Sequence, residues 1–131
     1  MICPAARCGA IAALAAGLLL GPPAAQAEIV DIVWQDGSRF DRNLTVAPGK
    51  FAELCGPLAA GKRVSWAFES DADLAFNIHY HLGKAVHYPA RQDRVRQSAG
   101  DLAVDQAQDY CWMWTNKSAT QAKLAVRLQL K

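Results

Sequence analysis

Three imidazoles fall within the segment Ala75–Tyr88 (AFNIHYHLGKAVHY): His79, His81 and His87, the only histidines of the chain. Neutral imidazole is the commonest metal-ligating side chain. Residues two apart on a strand project from one face, so His79 and His81 point the same way if this segment is extended. His87 follows just across a Gly83-Lys84 turn signal. Converged on one face, the three would suit Cu(II), Zn(II) or Ni(II), all of which accept imidazole. Kept apart, they are ordinary solvated or hydrogen-bonded residues of a polar strand face.

A second stretch with chemical potential is Tyr110-Cys111-Trp112-Met113-Trp114. Met113 is the only methionine besides Met1, and its thioether beside aromatic rings suits soft Cu(I). The alternative is plain packing of Met113 on Cys111. Trp112 and Trp114 point to the opposite side, where they either fill the core or, if exposed, mark a contact surface for a partner or ligand.

Other chemistries find little support. Ser65, Ser70, Ser98 and Ser118 lie in no Gly-x-Ser-x-Gly context. Asp71 and Asp73 flank a strand start and read as turn-capping residues rather than as an acid–base pair. No phosphate-cradling glycine loop or EF-hand pattern occurs. Catalysis is therefore not expected. Arg91, Arg94 and Arg96, with Lys84 nearby and Asp93 between, form a basic cluster read as a solvated loop, or else as a contact for an anionic partner.

The elements that must position these residues read as strands. Extended, alternating or β-branched segments occur at Glu28–Gln35, Asn43–Ala47, Lys62–Glu69, Asp73–Leu82, Leu102–Val104, Tyr110–Thr115 and Lys123–Leu130. Asp36-Gly37-Ser38 and Pro48-Gly49 punctuate the first of them. Arg91–Ser98 reads as a helical turn or charged loop. Short alternating strands separated by turns predict an all-β fold, an antiparallel β-sandwich of jelly-roll-like kind.

Register at the histidines follows from the apolar pattern. A two-residue Gly83-Lys84 loop pairs Tyr80 with His87 and sends His87 to the apolar side. A three-residue loop, Gly83-Lys84-Ala85, pairs Leu82 with Val86 and Tyr80 with Tyr88, keeping every large apolar residue on one face. It also sets His87 opposite His81. The longer loop, and with it a three-histidine face, is the expectation.

The first 27 residues read as an export signal: Arg7, a small-apolar run Ala10–Leu20, the breakers Gly21-Pro22-Pro23, and Ala25-Gln26-Ala27 at the cleavage point. The run stops short of the roughly 20 residues a spanning helix needs. The mature chain is then Glu28–Lys131, a single domain with no further segment long enough to span a bilayer. Loss of Arg7 takes the net charge from +2 to +1, too little to draw nucleic acid or anionic membrane. Periplasmic or secreted placement follows. Two cysteines remain, Cys55 and Cys111, and a pair in an exported chain reads as a disulfide. Thiolate metal ligation competes with that reading, but no Cys-x-x-Cys or Cys-x-x-His spacing supports it.

From about Gly49 onward the chain resembles the GOLD (Golgi dynamics) domain, a lumenal β-sandwich of secretory-pathway cargo receptors. The resemblance lies in Glu53-Leu54-Cys55, Val64–Phe68, Asp73-Leu74-Ala75-Phe76-Asn77-Ile78 and Tyr110-Cys111-Trp112 with Asn116. It implies a binding module whose two cysteines are joined. Asn116 lies two positions further from its cysteine than the family pattern, and no coiled coil or anchor follows before Lys131, so cargo selection is not implied. The expectation is thus an exported, non-enzymatic binding protein. It holds copper or zinc through His79, His81 and His87, with Met113 for Cu(I). Alternatively, it is a metal-free periplasmic protein-interaction module using Trp112 and Trp114.

Overall fold

The computed structural model describes Gly17, Gly21 and residues 27–131; the expected export signal lies outside the described residues, apart from those two glycines and Ala27. Seven strands follow: β1 (Glu28–Asp31), β2 (Arg39–Val46), β3 (Phe51–Leu58), β4 (Arg63–Leu82), β5 (Ala85–Ala103), β6 (Gln108–Thr115) and β7 (Ala122–Leu130). Their order is β1-β3-β6-β4-β7-β2, with β5 on β4. Every pair is antiparallel except β1–β3, which is parallel. Among the described residues no helix is long and apolar enough to cross a membrane.

β4 organises the fold. Its first half, Val64–Ser70, pairs with β7, and its second half, Ala75–His79, pairs with β6. β5 follows it on the other edge through both halves, with register shifts between Glu69 and Leu74. A strand that changes partners at such an irregularity turns a corner and folds one sheet over on itself. The result is a two-layered all-β fold whose sheet is nearly closed into a barrel. Two strands expected separately, Lys62–Glu69 and Asp73–Leu82, are therefore one. Arg91–Ser98, expected as a helical turn or loop, is the middle of β5. β3 escapes pattern reading because Gly56-Pro57 looks like a breaker. Pro57 lies beyond Cys55, the last β3 residue paired with β1, so its missing N–H breaks no ladder there.

Alternation decides what is inside. Val64, Trp66, Phe68, Leu74, Phe76 and Ile78 of β4 are all buried, as are Tyr110, Trp112 and Trp114 of β6. Their rings form one cluster, with Phe76 centred 4.9 Å from Trp66, 4.7 Å from Phe68 and 5.5 Å from Trp114. Trp66 lies over Gly100, its cross-strand partner on β5, where a Cβ would sit 2.7 Å from the indole. Two polar residues are buried, His79 on the outward face and Asn116 inside. Asn116 Nδ2 donates to Val46 O and Thr120 O, and its Oδ1 accepts from the backbone and hydroxyl of Ser118, so burial leaves it fully satisfied.

Cys55 and Cys111 are directly opposed on β3 and β6 and are joined as expected, with Cα atoms 4.1 Å apart. The bond lies on the outward face, so it clamps neighbouring strands rather than the two layers.

Candidate functional site

The β4–β5 hairpin ends in a two-residue loop. Leu82 pairs with Ala85, His81 with Val86 and Tyr80 with His87. This corrects the expected three-residue loop. Gly83 takes φ +60° at the first loop position, the conformation a two-residue type II′ connection demands and glycine adopts freely. The apolar argument for the longer loop fails because the tip has no buried face to enforce it. Leu82, Val86 and Tyr88 are 46%, 38% and 47% exposed.

The histidine triad is therefore not assembled. His87 falls on the face of Tyr80, with ring centres 5.0 Å apart and planes 10° from parallel. His79 and His81 lie on the other face, their rings 5.4 Å apart and nearly perpendicular. Three residue steps on β5, from His87 to Ala90, oppose two on β4, from Tyr80 to Ile78. This bulge brings the ring of Tyr88 to within 6.0 Å of His79.

The company of His79 comes instead from across β6. Rows of paired residues run Glu53–Met113–Asn77 and Cys55–Cys111–His79 over β3, β6 and β4. Outward side chains of these rows share one face, and Glu53 reaches diagonally so that its Oε1 lies 3.4 Å from His79 Nε2. On the far side of the ring, Nδ1–H donates to Asn77 Oδ1 at 2.8 Å. Burial pushes Glu53 above the ordinary carboxylate value, with the charge of His81 opposing; burial, then His81, lowers His79. The contact at neutral pH is thus between a carboxyl group and a neutral imidazole, not a simple ion pair. Cys111 Sγ lies within 4.8 Å of the same two donors, but a disulfide sulfur is no thiolate ligand. Met113 shares the face between Glu53 and Asn77 and is half-buried.

Glu53 and Asn77 were missed by motif reading. A signal for Glu53 existed: pairing Cys55 with Cys111 in an antiparallel register sets Glu53 opposite Met113. Trp112 and Trp114, expected as a contact surface if exposed, are wholly buried. Period-two alternation puts them inward with Tyr110, and tight packing keeps them there although neither indole N–H finds an acceptor.

The basic residues divide between the hairpin tip and a cavity farther along β5, which Arg94 and Arg96 line together with Lys117, Asp73 and Asp93. The guanidinium of Arg91 covers the Tyr88 ring at 4.9 Å, while Arg96 Nε donates to Asp73 Oδ1 at 3.0 Å. Between His79 and Arg91 the hairpin carries Lys84 and Arg91 and no acidic residue.

No protein-family model matches the chain, and no curated protein sequence matches it. Among solved structures it is similar to PliG of Aeromonas hydrophila, a periplasmic inhibitor of g-type lysozyme, at 10% identity and TM-score 0.61, over 81% of this chain and 98% of that one. PliG of Salmonella Typhimurium is similar at 10% identity and TM-score 0.56, over 79% and 98%. So is the pre-peptidase C-terminal domain of a Bacillus anthracis collagenase, at 10% identity and TM-score 0.55, over 81% and 95%. Likeness at this identity shows a shared all-β fold and does not carry the GOLD resemblance.

Proposed function

We propose that this chain is an exported, non-enzymatic module that binds a protein partner in the periplasm through the tip of its β4–β5 hairpin. The observation that carries the reading is exposure. Leu82, Val86 and Tyr88 are three of the five large hydrophobic residues that stand open to solvent among those described, and all three lie at this tip. A ribbon that offers aliphatic and aromatic surface beside permanent cations suits an acidic protein surface with an apolar recess. The disulfide and the expected signal segment support export. The PliG structures are of proteins that act by binding another protein, which makes a g-type lysozyme the first partner to try. The resemblance to GOLD domains, themselves binding modules, points the same way.

Photo-crosslinking in the periplasm tests this. A benzophenone side chain is placed at position 88 and, as comparison, at position 127 on the outer face of β7. A discrete protein adduct from position 88, lost on Leu82→Asp and absent from position 127, supports the reading. No adduct from position 88, or the same adducts from both positions, overturns it.

A further inference from the structure

We propose that Glu53, His79 and His81 form a binding site for a tetrahedral divalent cation of the zinc type on the outer face of the disulfide-bearing strands, with Asn77 as its positioning residue. The site adjoins the hairpin tip, where His81 pairs with Val86 and the Tyr88 ring lies 6.0 Å from His79, but none of its ligands is among the residues proposed to bind the partner.

Asn77 Oδ1 accepts a hydrogen bond, so the Nδ1 it faces at 2.8 Å carries the imidazole proton. His79 Nε2 is then left with a lone pair, aimed at Glu53 Oε1 only 3.4 Å away. Two acceptors facing each other at so buried a contact repel unless a positive charge lies between them, a shared proton or a cation.

The spacing identifies what fits. Two donors, each about 2.0–2.1 Å from a tetrahedral zinc ion, lie about 3.3–3.4 Å from one another. Neighbouring donors around a square-planar or octahedral ion at similar bond lengths lie only about 2.8 Å apart. The observed 3.4 Å matches the tetrahedral case. The second imidazole stands close by, although its nitrogens lie outside the Glu53–His79–Cys111 group, so that its ring must turn to join the ion. Two imidazoles on one tetrahedral ion have ring centres about 5.2 Å apart, and those of His79 and His81 are 5.4 Å apart. His81 is exposed, free to turn its ring toward the shared point. Two nitrogens and one carboxylate oxygen suit zinc over calcium or magnesium, and a water completes four. Asn77 does what outer partners of ligating histidines do, fixing the tautomer and the ring plane. His87, on the opposite face, takes no part.

The test uses untagged protein purified from the periplasm after expression of the full chain. It is stripped with a chelator and titrated with Zn(II) against a chromophoric competitor. One zinc per chain is expected. Glu53→Gln and His79→Gln should each weaken binding about 100-fold, His81→Ala at least about tenfold, and Asn77→Ala about 10–100-fold. His87→Gln should leave it unchanged. Cobalt(II) in place of zinc should give the intense visible absorption of a tetrahedral centre, a readout on the unaltered chain that requires no variant to fold. Absence of saturable binding overturns the proposal. So does binding that survives both Glu53→Gln and His79→Gln, equal loss in His87→Gln, or a weak octahedral cobalt spectrum.

Discussion

The two halves of the β4–β5 hairpin are built from the same two strands and behave differently. Near the β7 side, Arg63–Glu69 pairs with Gln97–Ala103 in seven uninterrupted pairs. Toward the tip, the same pair of strands shifts register repeatedly. The first half has one face sealed by Val64, Trp66 and Phe68, so a one-residue slip would turn large apolar groups into water. At the tip both faces are wet, a slip costs little burial, and turn chemistry sets the pairing. Register is fixed by burial along Arg63–Glu69 and by Gly83 at the tip.

The largest expected effect breaks the sealed half. Phe68→Ala removes a buried ring packed on Trp66, Phe76 and Trp114 and should cost about 3–5 kcal/mol in urea unfolding. Leu82→Ala at the open tip should cost less than about 0.5 kcal/mol in the same measurement. Comparable losses would mean that the tip packs on something in the monomer.

Next comes the clamp. Cys55→Ser should cost about 2–5 kcal/mol and leave Cys111 reactive to alkylation, whereas the unreduced mature chain, Glu28–Lys131, should show no free thiol. A fully labelled mature chain would remove the disulfide from this account.

Two glycines sharpen the comparison further. Gly100→Ala forces a Cβ against Trp66 at 2.7 Å, an overpacking cost of about 1–3 kcal/mol. Gly83→Ala meets no neighbour but must hold φ +60°, a cost of about 1–2 kcal/mol. The two should differ in kind as well. Gly100→Ala should keep the hairpin's cross-strand amide contacts in solution spectra, while Gly83→Ala should perturb those of the tip alone.

The smallest effect is electrostatic. His79 is lowered by burial, so in chelator the unfolded chain takes up a proton near pH 6.5 before the folded chain does. Stability therefore falls as pH drops from about 6.5 toward the lowered His79 value. Glu53, raised by burial, works in the opposite sense: the folded chain binds its proton first, and stability is regained as pH falls through the raised value. His79→Gln should abolish the first slope and leave the second. A pH profile unchanged by His79→Gln would show that the ring is not held neutral by burial.

Much of this molecule is readable from residue order, and the reading stops at a definable place. The inward set Leu74, Phe76 and Ile78, and the outward set Asn77, His79 and His81, follow from alternation and stand in the structure as expected. The joining of Cys55 to Cys111 follows from there being no other cysteine beyond the expected export signal. The merging of two strands into β4 was hidden because Ser70–Asp73 resembles a turn in composition, and only the pairing of its flanks, with β7 up to Ser70 and with β6 from Ala75, carries the strand through it.

Sequence by itself therefore determined the fold class, the phase of most strands and the disulfide, because each depends on composition or on a period of two within one strand. Tertiary structure alone decided which outward residues meet. Glu53 reaches His79 because β3 and β4 both pair with β6, and His87 misses His81 because Gly83 selects the shorter loop. Such proximity is a property of strand order and register, which arise from interactions distant in the chain and leave no periodic mark within any one segment.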